Sequence, residues 1–551
     1  MNVEKRLTEV RSLVIFACCY CGLFLVKMAK RKSDKLTIDE VEEMIEEGVL
    51  SLDEESECSE DEDFEAISRN LPSPSESSDE SSDDSFGEDN ETHTEMANRT
   101  SRNGTYWRSD TPPPSRTPRH NIMHEQPGPK RTVIVESPSN ALELFLSEEI
   151  LDEVCKCTNL EGRRVASRRS KRWNNVSKEE LLAYFGLVLL AGSEKQWDVS
   201  TRELFGNDFS NPMYKATMSV ERFEDIRRFL RFDDKRTREF RLQTDHMAAF
   251  RYIWELFISN CKKWYNPHEC VTIDEQLVGF KGRCRFLQYI PTKPGKYGIK
   301  IFWLCDSITN YGFNGSVYTG RQPGEEVKRN VGSSIVHELC SPLHHSGRNV
   351  TADNFFTSVQ LAESLLNKNV TLVGTLRQNK PDIPPIMKAS KSRERYSTEF
   401  GFKGNTTMVS YVPKKGKAVI MLSTMHHDKA IDEGSSKKKP EVIQYYNGTK
   451  AGVDTFDQMI RTYSCKRQTK RWPVAMWYNL LDVAALNAFL IFSTQNPEFE
   501  VGKTHKQRLF LRNLAKELVI PQMRRRLRVT TNLRSTVLWQ WKDAGSEEKK
   551  M

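Results

Sequence analysis

"VTIDEQLVGF", Val271 to Phe280, is the stretch on which the fold turns. Its β-branched, apolar character fits a buried strand, yet Asp274 and Glu275 interrupt it. Burying a carboxylate is costly unless a cation meets it. Side chains alternate across a strand, so the two acids are expected on opposite faces, with Asp274 facing a site and Glu275 turned away.

Working outward, "CVTID" and "YGIKIFWLCDS" read as a short and a longer strand. A turn at Asn310 to Gly312 leads into a return strand, which makes a meander. A helical stretch at 325–339 follows. "NVTADNFF" is then a strand ending in Asp353, "SVQLAESLLNKN" a helix and "VTLVGTLR" a further apolar strand. This alternation predicts an α/β class with a mixed sheet covered by helices. Residues 380–440 break the rhythm with "KPDIPP", basic clusters and a strand pair, and read as an insertion. "GVDTFDQMI", the long apolar "RWPVAMWYNLLDVAALNAFLIF" and a basic amphipathic helix come after it. Upstream, "SKEELLAYFGLVLLAG" has Ser177 and Glu180 spaced as a capping box and Gly192 where a helix would close.

At 551 residues the chain is long enough for about two or three folded units with tails. Its net charge of +7 conceals a separation. Residues 36–95 hold 24 acidic residues against Arg69 alone, and the remainder carries +30. A body that basic expects a polyanionic partner, nucleic acid ahead of a membrane surface. Residues 1–130, rich in Ser, Asp, Glu and Pro, read as a disordered tail whose acid-flanked serines suit a kinase or simply solubilise the chain. The twelve cysteines signal neither a disulfide scaffold nor a zinc ribbon. The apolar run at 13–26 is short of the roughly 20 residues a membrane span needs. It precedes the basic "KMAKRKSDK", so the expectation is a nuclear protein, with Met28 as a candidate start and no membrane partner; an N-terminal membrane anchor is the rival reading.

Asp274, Asp353 and the pair Asp454 and Asp457 stand where strands or helices end in apolar surroundings. The pair is spaced i,i+3, so both project from one helix face. Converging carboxylates repel, and an oxygen-loving divalent ion neutralises them: Mg²⁺, or Mn²⁺, as two ions in one site. Isolated acids also cap turns or pair with lysine, and spacing alone leaves both readings open. In "CKRQTKRWP", Lys466, Arg467, Lys470 and Arg471 suit phosphates. Trp472 suits either an unpaired base or the start of a packed helix ahead of Pro473. Lys293 and Lys296, in "PTKPGKYG", are phosphate candidates or a solvated turn.

The ordered motifs "IDEQLVGFKGRCRFLQYIPTKPGKYGIKIFWLCDS", "ADNFFTS", "KAGVDTFDQM" and "CKRQTKRWP" resemble the piggyBac family of DNA transposases and their domesticated derivatives, over roughly residues 130–540. The resemblance implies an RNase H-like core of the retroviral-integrase type at 270–379 and 441–463, with catalytic aspartates at Asp274, Asp353 and Asp454 and Asp457 as a nearby acid. It also implies an insertion domain at 380–440, and helical segments at 131–269 and 464–540 joined in an all-α dimerisation and DNA-binding domain. The implied reaction is cleavage and transfer of double-stranded DNA, transposon ends into TTAA targets, by a homodimer, with no small-molecule substrate. The sequence departs from the family in one respect. Members usually end in a cysteine-rich zinc module, and here no cysteine follows Cys465. A domesticated, non-transposing DNA- or chromatin-binding protein is the competing expectation.

Overall fold

The computed structural model describes residues 96–113, 122–123, 125–170, 172–206, 211–291, 293, 295–321 and 330–529. Readings made on the apolar N-terminal run, the import-like cluster and the acidic serine-rich stretch lie outside them. The chain divides into two units; of the described residues, 290, 291 and 293 fall in the first and all others in the second. The second carries the elements below, of which β1 (Gly128–Pro129) and β2 (Tyr265–Asn266) form a small antiparallel pair at its helical segment's ends.

Its centre is β3 (Cys270–Gly279), antiparallel to β5 (Tyr297–Asp306) and parallel to β7 (Asn349–Ala352). Strand β7 runs parallel to β8 (Thr371–Leu376). The other side of β5 pairs with β6 (Gly312–Val317) and, at its start, with the short β4 (Gln288–Tyr289). β5 is buried along almost its whole length, which explains why "YGIKIFWLCD" lacks alternation: both faces of the sheet are covered. The turn into β6 places Asn310 at φ 62°, a conformation asparagine tolerates. Gly315 lets β6 approach Trp303, since a Cβ there would lie 2.9 Å from the indole.

Beyond β8 the sheet continues antiparallel through β11 (Lys417–Ser423) and β10 (Thr406–Lys414) to β9 (Thr398–Lys403). The segment 380–440, read from the sequence as an insertion, supplies β9, β10 and β11 to the far end of the same sheet. The expected tail is corrected in part. Trp107 is fully buried and donates its indole N–H to the Asp382 carbonyl, while Arg108 bridges Phe402 on β9 through two backbone hydrogen bonds. Residues 96–113 form an ordered strap over the edge strand, because one large aromatic buried there outweighs the polar composition around it.

The longer helices, among shorter ones, begin with α1 (Glu148–Arg168), α2 (Lys178–Ser193), α3 (Val220–Phe229) and α4 (Arg251–Trp264). α5 (Val331–Cys340) and α6 (Val359–Leu366) flank β7 in sequence, and α7 (Glu441–Thr449) and α8 (Gly452–Thr462) follow the sheet. α9 (Trp472–Gln495) and α10 (Lys506–Val529) complete the series. Ser177 caps α2 by accepting the Glu180 N–H, but the Glu180 carboxylate is drawn to Arg222 at 2.7 Å instead of back to the cap. Gly192 lies inside α2, not after it. A Cβ there would sit 2.5 Å from the Tyr463 carbonyl, so glycine serves close packing. α9 is long and apolar enough to cross a membrane, yet it is buried on nearly all sides and is the core helix.

Candidate active site

The parallel pairing of β3 and β7 ends with Ile273 opposite Ala352. Asp274 and Asp353 are therefore the next residues on neighbouring strands, whose axes lie about 4.8 Å apart. Two residues earlier, Thr272 and Thr351 are register partners. Thr449, at the end of α7, holds both: its carbonyl accepts from the Thr272 hydroxyl at 2.6 Å, and its hydroxyl lies 2.8 Å from that of Thr351. The corner between α7 and α8 is thereby fixed on the strand face that also bears Asp274.

α8 begins directly on β3. Gly452 packs so closely that a Cβ would meet the Thr272 hydroxyl at 2.6 Å. Five residues on, an Asp457 oxygen accepts the Gln276 side-chain N–H at 2.8 Å. Between these two anchors α8 passes over the part of β3 that holds Asp274, and it presents Asp454, exposed, in its first turn. Phe456 fills the space beneath against Trp303, with ring centroids 5.1 Å apart. Asp454 thus receives the positive end of the helix dipole.

Asp353 follows the last residue of β7, where the chain leaves strand geometry. Its Oδ1 accepts the Phe355 N–H at 2.9 Å. Burial pushes its carboxyl up to about 6, and the nearby charge of Glu275 pushes the same way. Glu275, set aside on alternation, is thus an electrostatic neighbour of Asp353; the alternation rule stops applying where the strand does. The adjacent acids of "IDEQ" were the only sequence signal of this. Asp274 is half-buried, and its Oδ1 accepts the Glu275 N–H at 2.7 Å. Asp457 is engaged by Gln276 and by Arg461 at 2.6 Å.

Carboxylate oxygens are the hard donors that Mg²⁺ takes, and the raised Asp353 marks charge a cation would relieve, so the residues fit such an ion by type. Among the described residues no three acidic, histidine or cysteine side chains form a ready-made metal cluster.

The basic candidates separate into two groups. Lys470 and Lys296 are exposed, as is Lys466, whose ammonium donates to the Gly279 carbonyl at 3.0 Å. Lys293 belongs to the other unit, half-buried, with its backbone N–H on the Ile290 carbonyl. Arg467 and Arg471 do not present phosphate-binding forks. Arg467 is 3% exposed and donates to the carbonyls of Gln196 and Val199. Arg471 donates to the carbonyls of Arg227 and Leu230, capping the C-terminal end of α3. Burial lowers the Arg471 guanidinium to about 10. Both arginines satisfy helix-end and loop carbonyls that would otherwise be orphaned. Trp472 is half-buried and packs edge-on against Phe286 at 5.0 Å, beside the start of α9.

This mixed α/β chain is matched over residues 137–489 by a family model described as Transposase IS4. Among curated human proteins it is 24% identical over 379 residues to PiggyBac transposable element-derived protein 3, which covers 66% of this chain and 62% of that protein. PiggyBac transposable element-derived protein 2 is 22% identical over 379 residues, with 64% and 61% covered. The chain thus spans about three fifths of the length of these relatives. A solved piggyBac transposase, in a cryo-EM synaptic complex with hairpin DNA, is 40% identical with a TM-score of 0.71, covering 76% of this chain and 87% of that one. The chain belongs to the piggyBac transposase family.

Proposed function

We propose that this protein cleaves and transfers double-stranded DNA at TTAA sites as a metal-dependent transposase. The observation that carries the reading is the register of β3 on β7, which ends with Ile273 opposite Ala352 and so brings Asp274 and Asp353 next on adjacent strands, with Asp454 in the first turn of the helix that packs on β3. Asp274, Asp353 and Asp454 would hold the ions. Bound divalent cations would supply activation of a water or a 3′-hydroxyl and stabilisation of the leaving oxygen. The chain itself contributes orientation: two threonines and Thr449 hold the helix carrying Asp454 against the strand carrying Asp274. Exposed Lys296, Lys466 and Lys470 would neutralise backbone phosphates.

The strand order β6-β5-β3-β7-β8, in which only β5 runs against β3 while β6, β7 and β8 run with it, supports an RNase H-like core. The flanking helices would then serve DNA binding and pairing with a second copy. The solved relative's hairpin-DNA complex supports DNA as the partner. Nuclear residence and a kinase acting on the serine-rich tail belong to the same proposal.

The test is incubation of the purified protein with Mg²⁺ and a labelled TTAA-flanked duplex. Cleavage that disappears in Asp274→Asn and Asp353→Asn, with DNA binding retained, is the expected result. DNA binding without any cleavage that depends on Asp274 overturns the enzymatic reading and leaves a non-transposing DNA-binding protein.

A further inference from the structure

Gln276 sits on β3 two residues beyond Asp274 and is 2% exposed. Its side-chain oxygen accepts from the Trp303 indole N–H at 3.0 Å and from the Asn479 amide of α9 at 3.1 Å. An indole N–H only donates, so the atom facing it must be the oxygen, and the Gln276 NH₂ is forced to the other side. There it meets Asp457 Oδ1 at 2.8 Å, while Asp457 Oδ2 lies 2.6 Å from Arg461. Every partner in this chain of contacts is therefore directional: α9 and β5 orient Gln276, Gln276 takes hold of α8, and Arg461 takes the remaining carboxylate oxygen.

We propose that Asp457 and Gln276 form a positioning latch, and that Asp457 is not a metal ligand. The latch sets the rotation of α8 about its axis. Gly452 at one end and Asp457 at the other fix the turn of α8 that carries Asp454, which lies one turn before the latch. A rigid support of this kind decides whether a carboxylate lies within the few tenths of an ångström that an active site demands. The inference rests on the transposase reading only for its activity arm.

The contact can be inverted without disturbing its surroundings. In Gln276→Glu two carboxylates face each other. In Asp457→Asn the amide must turn its NH₂ towards either the Gln276 NH₂ or the Arg461 guanidinium. In the double variant the new asparagine donates to the new carboxylate, its oxygen still accepts from Arg461, and Trp303 and Asn479 keep an acceptor.

The experiment measures three quantities on all four proteins: Mn²⁺ binding by electron paramagnetic resonance, thermal unfolding, and Mg²⁺-dependent cleavage. Asp274→Asn is the ligand control. Expected are Mn²⁺ affinity in Asp457→Asn within about threefold of wild type, cleavage at least about tenfold lower in each single variant, and recovery to within about threefold in the double. The unfolding data should show the same rescue. Loss of Mn²⁺ binding in Asp457→Asn comparable to that in Asp274→Asn overturns the proposal by making Asp457 a ligand. Failure of the double variant to recover in both unfolding and cleavage overturns the latch. If wild type does not cleave at all, the transposase reading fails, and the latch is still judged by Mn²⁺ binding and by rescue of unfolding.

Discussion

Asp482 of α9 offers the sharpest test of how the segment after α8 is held. It is 7% exposed, accepts the Ser464 hydroxyl at 2.6 Å and the Cys465 backbone N–H at 2.8 Å, and so ties the end of the acid-bearing helix to the core. Burial, the largest influence, pushes its carboxyl up to about 7 from an ordinary 3.8, while the two hydrogen bonds and Lys466 pull the other way. The folded pKa lies above the unfolded one, so between the two values the folded chain keeps a proton that the unfolded chain has lost. Stability from this group is full at low pH and declines as pH rises through about 7. At about 1.4 kcal/mol per unit, the shift bounds the effect at about 4 kcal/mol. Asp482→Asn imitates the protonated acid: its oxygen accepts the Cys465 N–H, and the Ser464 hydroxyl rotates to accept from the amide. Thermal unfolding of both proteins should show a variant advantage of about 1.5 kcal/mol at about pH 5 that grows to about 4 kcal/mol at about pH 8. A difference that does not change with pH, or a variant less stable at both values, refutes the argument by showing that the native acid is ionised and held by its donors.

Four further outcomes follow from the geometry. Gly452→Ala forces a methyl against Thr272 and should lift α8 from β3, lowering cleavage at least about tenfold while DNA binding is kept, as read in parallel cleavage and gel-shift assays. Arg467→Met strands the Gln196 and Val199 carbonyls and should cost about 3 kcal/mol in a denaturant titration. Lys470→Ala should leave that titration unchanged and reduce the salt slope of DNA binding by about one. Trp107→Ala should release the strap from β9, seen as faster limited proteolysis within residues 96–113, with a loss of about 3 to 5 kcal/mol if the whole unit is coupled to it.

Part of the candidate site could be read along the chain because Asp353 and Asp454 sit at element boundaries, and boundaries are marked locally, whereas Asp274 lies midway along β3, which runs on to Gly279. The β-branched runs mark β3 and β7, and the places where a run stops or the next helix starts mark Asp353 and Asp454. The strap was missed because a single Trp107 in a polar, proline-rich setting carries no periodicity. Composition marks 380–440 as an insertion, but its membership of the sheet depends on backbone pairing between β8 and β11, which composition does not encode.

The same limit separates the lysines from the arginines of "CKRQTKRWP". Residue type alone makes all four basic positions equivalent phosphate partners, since charge is a local property. Which of them faces solvent depends on carbonyls contributed by residues more than two hundred positions away in the chain, and Arg467 and Arg471 are consumed by those. Local order thus marked many of the strands and helices. Only folding in three dimensions decided that Glu275 acts on Asp353, that Gln276 grips Asp457, and that α8 crosses Asp274, because each requires partners from separate segments meeting on one face of the sheet.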